Sequence, residues 1–77
     1  MIPHERQFNT VQQATQFLHT LTGQRFLVLD KAKNIYLVLD VTGFDKYTDM
    51  TQVSKAHRSF EFKPEFDMEI LDIQHGV

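Results

Sequence analysis

RFLVLDKAKNIYLVLDV, residues Arg25 to Val41, is the stretch whose reading decides the fold. Two apolar runs, Phe26–Leu29 and Ile35–Leu39, flank the polar segment Asp30-Lys31-Ala32-Lys33-Asn34. That pattern predicts a β-hairpin. Side chains along a strand point alternately to opposite faces. In the second strand Ile35, Leu37, Leu39 and Val41 share one face, and Tyr36, Val38 and Asp40 the other. In the first, Phe26, Val28 and Asp30 oppose Arg25, Leu27 and Leu29. Both faces are largely apolar, as expected of strands covered on both sides. One amphipathic helix covers one side only. The second side therefore needs another element of the chain or another chain.

The helix precedes the hairpin. Asn9 to Gly23 carries a cap candidate in Asn9, with Gln12 three residues later. Val11, Ala14, Phe17, Leu18 and Leu21 follow helical spacing. Gly23 suits the left-handed residue past a helix end. From Gln7 to Gln24 there is no Asp, Glu, Lys or Arg. Surface helices usually carry charge for solubility, so the neutral face with Gln12, Gln16 and His19 is either simply solvated or meets a partner, where fixed charge would cost desolvation. Before the helix, residues 1–8 read as an arm, because Pro3 disfavours helix at Ile2 and His4-Glu5-Arg6-Gln7 is polar.

After the hairpin, Thr42-Gly43 breaks the pattern. Phe44 to Arg58 reads as loop plus a short helical piece bearing Met50, Val53 and Ala56. A third strand over Tyr47–Val53 is the alternative. Ser59 to Lys63 alternates as a half-buried strand, and Lys63-Pro64-Glu65-Phe66 is a turn. Phe66 to Ile73 is the last strand. Its apolar set switches from Phe66, Met68 and Ile70 to Leu71 and Ile73, as a bulge would require. Residues 74–77 form a tail. The expected fold is α+β: one domain over residues 1–77, with the N-terminal amphipathic helix packed on an antiparallel sheet of about four strands in two hairpins, as two layers.

Composition narrows the function. The chain has 77 residues and no Cys, so no disulfide supplements a core that buries only about 60% of the unfolded surface at this size. The absence of Cys fits a reducing compartment. No run approaches a membrane span, and MIPHERQF lacks the features of a signal peptide, so a cytoplasmic protein is expected. The net charge of −2 gives no global attraction to nucleic acid or anionic membrane.

No catalytic, metal or cofactor signature emerges, and a non-enzyme without cofactors is expected. His4, His19, His57 and His75 lack metal-ligand spacing. Ser54 and Ser59 have no nucleophile-elbow context. Gly23, Gly43 and Gly76 lie too far apart for a phosphate loop. Asp40, at the end of an apolar strand, reads as an ordinary polar strand terminus. Phe17, Phe26, Phe60 and Phe62 form either a ligand pocket or, in so small a domain, simply the core.

Two binding readings follow. The first is a non-catalytic interaction or regulatory domain, acting as a homodimer or docking on a partner protein. Its interface residues would be Leu27, Leu29, Tyr36 and Val38 on the second sheet face and Gln12, Gln16 and His19 on the helix. The alternative is a small nucleic-acid-binding regulator using Lys31 and Lys33 at the hairpin tip with Lys55 and Arg58. Opposing it, residues 61–72 hold Glu61, Glu65, Asp67, Glu69 and Asp72 against Lys63 alone, a formal −4. Such a stretch either guards a sheet edge against aggregation or docks on a basic partner.

Overall fold

The computed structural model describes residues 4–48 and 61–75. It is an α+β fold. Its elements are β1 (Glu5–Phe8), α1 (Val11–Leu18), β2 (Arg25–Asp30), β3 (Ile35–Leu39), α2 (Val41–Asp45) and β4 (Met68–Gln74). The four strands form one antiparallel sheet in the order β1-β3-β2-β4.

β2 and β3 form the expected hairpin, paired from Phe26↔Leu39 to Asp30↔Ile35. Local chemistry sets its turn. The Asp30 carboxylate accepts from the Lys33 N–H at 3.3 Å, and Asn34 takes the left-handed conformation at φ 56°, which short polar side chains tolerate. As the two central strands, β2 and β3 are covered on both faces.

α1 covers one face. Thr10, not Asn9, is its cap: the Thr10 hydroxyl accepts from the Gln13 N–H. The helix is shorter than its sequence pattern, because tighter bonds from Thr20 N–H to Phe17 O and from Leu21 N–H to Leu18 O close it after Leu18. Gly23 still adopts a left-handed φ of 92°, but in the loop that leads into β2. Ala14 and Leu18 pack on Leu27 and Val38, flanked by Phe8, Phe17, Leu21 and Tyr36. Val11, at the helix start, overhangs this contact and is 44% exposed.

The opposite face carries Phe26, Val28, Leu37 and Leu39, with Phe44 packed on them. Phe44 stacks on Phe26 at 3.9 Å between ring centroids, and Phe62 meets it edge-on at 5.8 Å. Tyr47, Phe62 and the β4 residues Met68, Ile70 and Ile73 complete the cluster. Both faces are thus covered from within the chain, and α1 lies on the face of Leu27 and Val38 that was expected to need a second cover. Thr42-Gly43, expected to break the structure, lies inside α2, whose first turn is capped by Asp40 accepting from the Gly43 N–H at 2.7 Å. Glycine is required there for space, since a Cβ on Gly43 would sit 2.2 Å from the His4 carbonyl oxygen.

Two further expectations change. Residues 5–8, taken as an arm, form β1 along β3. An edge strand pairs through its backbone, so polar side chains do not prevent it. The second hairpin is absent among the described residues. The Lys63–Phe66 turn forms, with the Phe66 N–H donating to Lys63 O at 2.9 Å, but β4 pairs with β2. Phe62 makes only an isolated bridge to Thr48. Among the described residues the four strands include β1, and of the strand expected at Ser59–Lys63 residues 59–60 lie outside the description. The expected bulge in the last strand is present: pairing with β2 jumps from Leu27↔Asp72 to Val28↔Ile70. It returns Ile73 to the face of Met68 and Ile70 and leaves Leu71 40% exposed. The helix-or-strand question over residues 47–57 falls, beyond Thr48, outside the described residues. Among the described residues no helix is long and apolar enough to cross a membrane.

Phe44, 1% exposed, closes the face opposite α1. Phe44→Ala is expected to lower the unfolding free energy by about 3–5 kcal/mol, and Phe44→Leu by about 1 kcal/mol. Urea titration of the purified protein measures both. A loss of less than about 1 kcal/mol for the alanine variant would mean that α2 does not seal the core.

Candidate functional site

The core takes some of the residues expected at the surface. Leu27 and Val38 are 2% and 3% exposed beneath α1, so they fill the chain's own interior. Leu29 and Tyr36 are half-buried. Gln12, Gln16 and His19 are exposed on the outer side of α1 and its C-terminal cap. The aromatic pocket does not exist as one space, because Phe17 belongs to the cluster beneath α1 whereas Phe26 and Phe62 belong to the cluster on the other face. Phe60, Lys55 and Arg58 lie outside the described residues.

Three surfaces remain. The first is the outer side of α1, where Val11, Gln12, Gln13, Gln16, His19 and Thr20 are exposed. The helix has no acidic residue in its first turn and no basic residue in its last, so its surface lacks the charges that usually complement the helix dipole. Arg6, from β1, brings a fixed charge against it. Its guanidinium lies 5.0 Å from the Phe17 ring centroid and 5.9 Å from that of Phe8, close enough for cation–π attraction.

The second is a cavity of about 190 Å³ below the hairpin turn. Ile35, Leu37, Tyr47 and Phe66 give it apolar walls, while Glu5, Asp30, Glu65 and Asp67 line it with carboxylates. The Tyr47 hydroxyl donates to Glu5. Burial, then this bond and the Glu5 and Asp30 charges, push the phenol well above its usual range. Tyr47 is therefore held as a protonated donor at neutral pH. Lys33 lines the same cavity, and the Lys31 N–H is bonded to Asp67 O at 2.9 Å. The turn that was to meet phosphate thus lies among carboxylates, which oppose an anion there. Among the described residues no group of three or more His, Asp or Glu could hold a metal ion.

The third is the outer flank of β4, where Glu69, Leu71 and Asp72 are exposed.

Asp40 has a role the sequence hid. Besides capping α2, its second carboxylate oxygen lies 2.7 Å from His4 Nδ1, and its N–H donates to His4 O at 3.2 Å. The contact spans 36 positions, so no local pattern signals it. The cap itself leaves a faint signal: an Asp three residues before Gly43.

Neither family models, curated proteins nor solved structures yield a match to this chain.

Partial burial disfavours ionised Asp40, but the bonds from His4 and the Gly43 N–H, with the nearby His4 and Arg25 charges, outweigh it and hold the carboxyl below its ordinary 3.8. A group whose folded pKa is depressed adds stability that is full above the unfolded value and fades as the pH falls through the folded one. Asp40→Ala is expected to cost about 1 kcal/mol at neutral pH through loss of the cap, and the gap to the native chain should narrow below about pH 4. Urea titrations across acid pH measure it. A gap that stays constant down to about pH 2 would contradict this account of the carboxylate.

Proposed function

We propose that this chain is a non-catalytic interaction domain that docks on a partner protein through the outer side of α1. One observation carries the reading. From Gln7 to Gln24 no residue bears a fixed charge, yet Val11, Gln12, Gln13, Gln16, His19 and Thr20 are exposed. A solvated helix gains solubility from charge, whereas the centre of an interface is depleted in it. Amide and hydroxyl groups can form hydrogen bonds across a contact without the cost of burying an ion. The core beneath holds the helix rigidly enough to present them, since Ala14 and Leu18 are fully packed.

The homodimer form of this reading has less support than docking on a different protein. It rests on a sheet face left uncovered, whereas α1 packs on the face of Leu27 and Val38 and Phe44, Tyr47 and Phe62 pack on the opposite one. The nucleic-acid alternative also has less support, given the carboxylates around Lys33.

The test is affinity purification from the native cells with three forms of the chain. The partner retained by the native chain is expected to be lost with Gln12→Glu/Gln16→Glu and kept with Lys31→Glu/Lys33→Glu. The opposite pattern would overturn the reading. Light scattering on the purified chain reports the remaining version: a dimer mass that returns to monomer with Gln12→Glu/Gln16→Glu would assign the α1 surface to a second copy.

A further inference from the structure

Among the described residues β4 is an edge strand, and on the α1 side only its end is tied down, where the Gln74 amide donates to Leu21 O and Gly23 O. α1 packs over β1, β3 and β2, and no β4 residue belongs to the apolar cluster beneath it. On that side Glu69 stands beside Leu29 and Asp72 beside Leu27, as the pairing register dictates. Glu69 and Asp72 are exposed, and Asp72 accepts only a local bond, from the Ile73 N–H at 2.9 Å. Neither has an ion-pair partner among the described residues. Between them the bulge presents Leu71, 40% exposed. Leu29, half-buried, belongs to neither core cluster. Among the described residues the flank thus combines an open strand edge, two apolar side chains and two uncompensated carboxylates.

An open edge is a template for another strand. Its charges decide which strand. A second copy of β4 added antiparallel in the register that opposes Glu69 to Asp72 would set like charges together, and directly opposed like charges destabilise a sheet. The same carboxylates favour a strand bearing Lys or Arg, so attraction and exclusion point the same way.

We propose that the β4 edge takes a basic, extended segment of a partner protein by strand addition, with its cations against Glu69 and Asp72 and an apolar residue on Leu71. Affinity on such an edge comes from backbone hydrogen bonds, and specificity from alternate side chains. The site is separate from the α1 surface, and neither proposal depends on the other.

The probe is a fluorescein-labelled peptide of alternating lysine and valine, about eight residues long to match β4, followed by anisotropy. Its affinity is expected to fall about tenfold with Glu69→Lys/Asp72→Lys, whose sites are exposed, while circular dichroism stays unchanged. It should also fall severalfold between about 50 and about 500 mM salt. A version N-methylated on alternate backbone nitrogens should bind at least about tenfold more weakly, because the ladder donors are gone. A glutamate–valine peptide should not bind.

Equal binding of the N-methylated peptide would overturn strand addition and leave a charge contact only. Undiminished binding to Glu69→Lys/Asp72→Lys, or binding of the glutamate peptide, would remove the edge as the site. Self-association of the native chain that Glu69→Lys/Asp72→Lys abolishes would give the edge to a second copy instead.

Discussion

Burial of a two-faced hairpin is the constraint on which the rest of this structure depends. β2 and β3 carry large apolar side chains on both sides, and they are the inner strands of the sheet. Leaving either side wet would expose several side chains, each worth about 1.5–3 kcal/mol on burial. A chain of 77 residues has little to spare for the task, and it divides the work unequally. α1 covers one side with a regular amphipathic stripe. The other side is closed by a five-residue helix, α2, and by the aromatic side chains that follow it.

The small cover is held by contacts remote in sequence. Asp40 caps α2 and bonds His4, and the His4 carbonyl lies against Gly43 where no side chain would fit. Tyr47 reaches Glu5. β1 therefore serves two purposes. It pairs with the open edge of β3, and its residues fasten the segment that seals the core.

Much of this was legible in the sequence, for physical reasons that can be named. The hairpin announced itself through two continuous apolar runs, apolar on both faces, around a polar turn. The bulge in β4 showed as a change of parity between Ile70 and Ile73. The Lys63–Phe66 turn followed from the fixed φ of Pro64. β1 was not legible, because an edge strand with polar side chains is bound by its backbone. α2 was not legible either: five residues span too few turns to show a period, and Gly43 inside them imitates a break. The polar residues around the cavity, Glu5, Asp30 and Tyr47, were invisible as a group because only the tertiary fold brings them together. The α1 surface needed no structure beyond confirmation that Gln12, Gln16 and His19 are exposed, since its lack of charge is a property of the sequence.

One chain covers both faces of its own hairpin. Amide hydrogen exchange of Leu27–Leu29 and Leu37–Leu39, measured at two protein concentrations about a hundredfold apart, tests it directly, because these strands should open only with global unfolding. Protection equal to the global unfolding free energy and independent of concentration is expected. Protection that rises with concentration would contradict it, since mass action would then place part of the cover on another chain.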